Sequence, residues 1–387
     1  MRQRGQKHTP VMIMAALCFF ALAGCSNRAH QIAVQPTLSQ AELLSGQALF
    51  DLKITNLKLP DVAVMDLSDT MRNYLHVNIP KKASKAHKLN RLLFLMFSKG
   101  NLGISYDPTL TLTAENTFRS GSGNCLAVSY LFARMAEELG LHAEFQNVHI
   151  PPKWSMENDV MYKYRHVNIK VTLPDKSTYI VDVNMKDTLP SYKTNLISKQ
   201  NAVAQYYSNK GAEYLAKEDN LNAFLNFKKA ITIESGQSEF WSNLGVLYSK
   251  AGKYNYAESA YLTALNLQQD NLTTISNIAS LYERMGRDEL MLKYQRLAES
   301  HNNKNPYFRF IKAKDDFENG NYSNSLSHLE WALNHEKNDP EFYFLLAQIY
   351  EKTSQPEKAQ SATLKGQKIA GELQHLLTDK AMIIKSY

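Results

Sequence analysis

"SEFWSNLGVLYSKAGKYNYAESAYLTALNLQQDN", Ser238–Asn271, reads as a pair of helices. The same residues stand at a fixed distance on both sides of it. Gly211, Tyr214, Ala223, Phe227 and Ala230 return 34 residues later as Gly245, Tyr248, Ala257, Tyr261 and Ala264, with Trp241 and Leu244 ahead of them. Ala279, Tyr282 and Ala298 carry the register on, then Ala313, Gly320 and Ala332, then Ala347, Tyr350 and Ala359. A period of this length is the mark of stacked supersecondary units. It predicts five helix pairs, 204–237, 238–271, 272–305, 306–339 and 340–373, with 374–387 as a C-terminal capping helix.

These residues resemble the signature of the tetratricopeptide repeat. Small residues at the helix crossing allow close approach, and aromatics fill the gap between units. The usual proline at the repeat end is absent from the first two units, and the third and fourth lack several aromatic anchors. The resemblance implies an all-α solenoid that binds a protein or peptide partner in the groove lined by the first helix of each pair. Ser242, Ser276, Glu283, Phe310 and Gln348 would face that groove.

The chain opens with a basic stretch, an apolar run from Val11 to Leu22, and then Ala23-Gly24-Cys25. This order predicts a secretory signal peptide over 1–24, and the run is short of the roughly 20 residues a spanning helix needs. "LAGC" resembles the lipobox of bacterial lipoproteins. The resemblance implies acylation of Cys25, a tether over 25–37, and attachment to the outer membrane facing the periplasm, since Ser26 rather than Asp follows. Arg2, Arg4 and Lys7 leave with the signal, so a formal +7 becomes +4. That mild excess gives no footprint for nucleic acid. There is no glycine-rich phosphate loop, and no paired His or Cys spacing for a metal, so neither a cofactor nor a metal is expected.

Between tether and repeats, 38–195 reads as α+β. Leu38–Leu49 and Ala83–Ser98 have helical spacing, and Thr113 caps a short helix. After Cys125 the apolar steps Val128, Leu131, Phe132, Met135 and Leu139 predict a helix ending at Gly140. The period then falls to two through "AEFQNVHI", "YRHVNIKVTL" and "TYIVDVN". With Cys18 removed and Cys25 acylated, Cys125 is left without a disulfide partner. It stands at a helix start behind "SGSGN", where free amides and the helix dipole favour a thiolate, Asn124 can support the turn, and the backbone can bind an oxyanion. Taken alone, Cys125 equally fits an inert buried filler.

A thiol nucleophile needs a base, and the base an orienting acceptor. Burying Val167, Ile169 and Val171 on the same side as Tyr179, Val181 and Val183 demands an even hairpin register, for example Thr172 opposite Thr178. Asp182 then lies opposite Asn168 and diagonal to His166, near enough for a carboxylate to meet an imidazole. Separately, His166 reads as a histidine on a wet hairpin face and Asp182 as a solvated acid. His149 is a rival base; with Trp154 it reads better as a cleft wall. Asn168 and Asn184 share the polar face.

"GNCLAVSYLFARMAEELGLHAEFQ", "HVNIKV" and "YIVDVN" together resemble the bacterial transglutaminase-like (papain-like) superfamily. Val167 follows His166 where that family often has tryptophan. The resemblance implies Cys125 as nucleophile, His166 as general base and then acid, and Asp182 as its orienter. A protease or amidase releases the acyl-enzyme to water; a transglutaminase passes it to an amine. A different class of reading is a non-catalytic outer-membrane adaptor working through the repeats alone.

Overall fold

The structure is a computed structural model that describes residues 35–50, 58–149, 166–184 and 192–372 in full, and the backbone alone of 154–157, 160–163, 373–376 and 383–386. The expected signal peptide, Cys25 and the tether up to residue 34 lie outside the described residues. No helix of the described residues is long and apolar enough to cross a membrane.

Among the described residues three helices come first: α1 (Gln40–Leu43), α2 (Asp69–Asn78) and α3 (Lys85–Phe97). Ser68 and Ser84 cap the latter two by accepting from the amides of Met71 and His87. β1 (Ser105–Tyr106), α4 (Ala114–Ser120) and β2 (Ser122–Gly123) lead into α5 (Cys125–Glu138). Tyr130, Leu131, Phe132, Ala133, Met135 and Ala136 of α5 are fully buried, because α2, α3 and α4 pack around it and strands cover the remainder. At the other end of α5, Gly140 takes φ 71°, and the Lys85 and Lys88 ammonium groups donate to the carbonyls of Gly140 and Leu139. Cations thus meet the negative end of the helix whose positive end carries Cys125.

β3 (His142–Val148), the hairpin β4 (Trp154–Glu157) and β5 (Val160–Lys163), β6 (His166–Thr172), β7 (Thr178–Val181) and β8 (Thr194–Ile197) follow. Ten helices come next, and then β9 (Ile383–Ser386). The main sheet is antiparallel in the order β8-β3-β6-β7-β9, with Thr172 opposite Thr178 and Ile169 opposite Val181. That is the even register that buries both apolar sets. β6 is covered on both faces over His166–Ile169, so the face expected to be wet is closed.

The helix pairs are α6 (Lys199–Ala216) with α7 (Asn220–Ile233), α8 (Ser238–Lys250) with α9 (Tyr254–Leu267), α10 (Leu272–Arg284) with α11 (Asp288–Asn302), α12 (Pro306–Glu318) with α13 (Tyr322–His335), and α14 (Pro340–Lys352) with α15 (Pro356–Leu376). From α7 onward each helix starts 34 residues after its counterpart. Only α6 starts early, capped by Ser198, and its extra turn docks on α5 where the Tyr130 hydroxyl donates to the Ala202 carbonyl at 2.5 Å. Crossing contacts explain the small residues. A Cβ on Gly245 would sit 2.6 Å from the Tyr261 ring, and one on Gly211 would sit 2.5 Å from Phe227. Gly245→Ala is therefore expected to cost about 1–3 kcal/mol through overpacking, read as a lower urea midpoint at unchanged slope.

The third and fourth pairs meet thinly. Gln295 stands where Phe227 and Tyr261 fill the earlier pairs, and Arg309, Lys312 and Asp316 stand where Trp241, Leu244 and Tyr248 do. Accordingly α11 buries Tyr294 alone, and the last two pairs have their own core around Ala313, Leu329, Ala332, Phe342, Leu345 and Ile349.

Three expectations need correction. The helix expected over Leu38–Leu49 is the single turn α1, because Gly46 turns the chain at φ 75°. This segment also belongs to the repeats rather than to the α+β unit. Thr37 Oγ1 lies 3.0 Å from Ser259 Oγ, the Tyr248 hydroxyl donates to the Leu43 carbonyl at 2.6 Å, and the Tyr207 hydroxyl accepts from the Val62 amide at 2.8 Å. It runs on to Val64, whose carbonyl accepts from Ala114 at the start of α4. Lastly, 383–386, expected within a capping helix, are a strand. α15 stops at Leu376, and β9 pairs with β7, placing Ile383 opposite Val181. The β-branched Ile383-Ile384 suits a strand, and β7 offers an unpaired edge.

Candidate active site

Several local constraints fix the turn before Cys125. Gly121 ends α4 at φ 66°, and β1 and β2 pair in parallel with Tyr106 opposite Gly123. A Cβ on Gly123 would lie 2.9 Å from that of Ala127, so no larger residue fits there unmoved. Asn124 is the N-cap of α5. Its Oδ1 accepts from the Ala127 amide at 2.9 Å, its Nδ2 donates to Thr111 Oγ1 at 2.8 Å, and its own amide donates to the Leu110 carbonyl. Cys125 is therefore the first helical residue, where amides lack acceptors within the helix.

Sequence-distant residues converge on it. His166 Nε2 lies 2.7 Å from Asp182 Oδ2, with both side chains buried. The same ring is hydrogen-bonded to the Cys125 thiol. Asp182 is held in turn, its Oδ1 accepting from the Asn184 amide at 2.8 Å and its Oδ2 from Asn168 Nδ2 at 3.3 Å. Burial would by itself depress the His166 pKa. The hydrogen bonds and electrostatic interactions with Asp182 and Cys125 outweigh it and push the ring up to about 10. The ring thus carries its proton at neutral pH, next to a sulfur at the positive end of a helix.

The remaining expected site residues fall elsewhere or out of view. His149 is exposed, with Nε2 2.7 Å from Asn195 Oδ1 on β8, so it does not join the cluster. The Trp154 side chain lies outside the described residues. Of the residues assigned to the repeat groove, Ser242 is buried, Ser276 half-buried, Glu283 and Gln348 exposed, and Phe310 stacks on Phe342. Two residues escaped the sequence reading. Thr111 anchors the cap, and Gln146, opposite Asn168 on β3, is buried with an Oε1 that has no partner among the described residues. A polar residue at an inward register position was the available signal for Gln146. Among the described residues, no group of three or more His, Cys, Asp or Glu side chains could hold a metal ion.

The tetratricopeptide repeat family model matches residues 238–271, the pair α8–α9. The C-terminal helix pairs are a tetratricopeptide repeat solenoid. The chain is similar to anaphase-promoting complex subunit 3 of Schizosaccharomyces pombe, 26% identical over 145 residues, which cover 38% of this chain and 22% of that protein. It is also similar to tetratricopeptide repeat protein 37 of Xenopus laevis, 33% identical over 75 residues, covering 19% of this chain and 5% of that protein. The chain thus spans under a quarter of the length of these curated relatives. Similar solved structures include the MamA protein of MSR-1, at 17% identity and TM-score 0.23 over 44% of this chain and 98% of that one. Another is YrrB, described as a TPR protein with an unusual peptide-binding site, at 18% identity and TM-score 0.25 over 44% and 88%.

Proposed function

We propose that the chain is a thiol acyl-transfer enzyme, of the protease or amidase type, mounted on its tetratricopeptide scaffold. One observation carries the reading: a single buried imidazole bonded to both the Cys125 thiol and the Asp182 carboxylate. The thiolate adds to a peptide or amide carbonyl, forming a C–S bond, while amides at the start of α5 receive the oxyanion. His166 gives its proton to the departing amine as the C–N bond breaks, then takes one from the water that releases the acid. Asp182 holds the ring in orientation. An amine in place of water makes the same centre a transglutaminase, and the α+β unit resembles that superfamily. The repeats bring the protein substrate.

The match of the repeats favours a second reading, an adaptor without catalysis. Iodoacetamide separates the two. In the folded chain near neutral pH, Cys125 of an enzyme is alkylated rapidly, whereas a filler thiol reacts only when the chain is unfolded. Acylated Cys25 would hold either form to the periplasmic face of the outer membrane. An alkyne-tagged fatty acid is then incorporated by the parent and not by Cys25→Ser; equal labelling of the two rejects the anchor.

A further inference from the structure

Gln146 on β3 and Asn168 on β6 stand directly opposite one another, with Leu196 of β8 on the far side of Gln146. The row ends at Asp182, whose Oδ2 accepts from Asn168 Nδ2 at 3.3 Å and lies 2.7 Å from His166 Nε2. Gln146 is 6% exposed and Asn168 5%. Gln146 Oε1 and Asn168 Oδ1 are both buried, and neither has a hydrogen-bond partner among the described residues. Two buried acceptors on facing residues are costly, because each has given up its bonds to water.

One turn of an amide removes half of that cost. Residues opposed in this way have Cβ atoms about 4.5–5.5 Å apart, so their carboxamides reach each other. The two ends of a carboxamide are alike in size, and the surrounding hydrogen bonds decide which end faces which way. Turned end for end, Gln146 presents Nε2, a donor, to Asn168 Oδ1. Each amide then donates to the next acceptor, from Gln146 to Asn168 to Asp182, with the positive ends of both dipoles toward the carboxylate. The Asn168 bond to Asp182 is long, so what holds Asn168 matters. An asparagine whose oxygen goes unpaired gains by rotating, and rotation takes Nδ2 off Asp182.

We propose that Gln146 is a positioning residue of the thiol centre: its amide donates to Asn168 Oδ1, keeps Asn168 Nδ2 on Asp182, and so keeps that carboxylate turned to His166. Its service to catalysis rests on the acyl-transfer reading; its hold on Asp182 does not. Asp182 and Cys125 are the titratable groups that bear on the His166 ring, and the next row of the same sheet face pairs Glu144 with Lys170, of opposite charge.

The test uses the full chain with ¹³C-labelled histidine, the His166 ring signal being the one lost in His166→Ala. Leucine fills the space of glutamine and donates nothing, so Gln146→Leu is expected to lower the pH midpoint of His166 titration by about one pH unit. Asn168→Leu is expected to lower it likewise, and adding Gln146→Leu to Asn168→Leu to move it no further, since the influence runs through Asn168. Circular dichroism melts confirm folding; should Asn168→Leu melt early, the Gln146→Leu midpoint alone decides. A midpoint unchanged by Gln146→Leu, or lowered equally with and without Asn168, overturns the proposal. Iodoacetamide alkylation of Cys125 in the parent at pH 7 reports the enzyme separately. A lowered midpoint beside an inert thiol rejects acyl transfer and keeps the hold on Asp182; a reactive thiol beside an unmoved midpoint does the reverse.

Discussion

In the His166→Ala variant, iodoacetamide alkylates Cys125 about thirtyfold more slowly at pH 7 than in the parent, because a thiol without a cationic partner is only a few per cent thiolate there. The difference closes as pH rises, since hydroxide then ionises the lone thiol. Acyl transfer suffers more, by on the order of 10² to 10⁴, because no group remains to protonate the leaving amine. In the parent the pH dependence of amide cleavage follows from the raised ring: the imidazolium is present through neutral pH, and turnover falls as pH passes about 10, where it loses its proton. An alkylation rate unchanged by His166→Ala would remove the imidazole from the account.

Asp182→Ala has the largest expected effect on stability, about 3–5 kcal/mol, the range for removing one partner of a buried ion pair. The carboxylate is 2% exposed and its loss strands more than the ring: the Asn184 amide and Asn168 Nδ2 lose their acceptor as well. The pH dependence should weaken. In the parent, the folded ring holds its proton more tightly than an ordinary histidine, so its contribution is complete below about pH 6.5 and fades as pH climbs toward about 10. Without Asp182 two of the interactions that hold the proton are gone, and burial is opposed by Cys125 alone. The variant should then lose less stability than the parent between about pH 6.5 and about pH 10. Urea midpoints at pH 6 and pH 9 for both proteins read this directly. A variant as stable as the parent at both would show that the pair does not hold the sheet.

The sequence already carried the repeats, because a helix pair that buries its face on a copy of itself leaves a periodic trace: Gly245 against Tyr261 repeats Gly211 against Phe227. The His166–Asp182 pairing was also legible, since apolar alternation in β6 and β7 allows one register, and that register brings the two polar residues together. Local rules cannot reach contacts made across hundreds of residues. Thr37 on Ser259 and Leu43 on Tyr248 leave no periodic trace, so the N-terminal segment read as part of the α+β unit although it lies on the repeats. For the same reason the C-terminal strand was read as a helix: what selects β9 is the free edge of β7, formed some two hundred residues earlier. The closed polar face of β6 likewise depends on tertiary packing, and Gln146 and Thr111 became visible only once their neighbours were placed.

Covalent capture at the sulfur bears most directly on the central claim. The folded chain is mixed with p-nitrophenyl acetate at pH 7, quenched in acid and digested, and the peptide bearing Cys125 is weighed. A thioester on Cys125 that accumulates in the parent, is absent from His166→Ala, and decays once the ester is exhausted is the predicted result. A parent thiol that stays unmodified until denaturant is added, or is acetylated equally in both proteins, would contradict it.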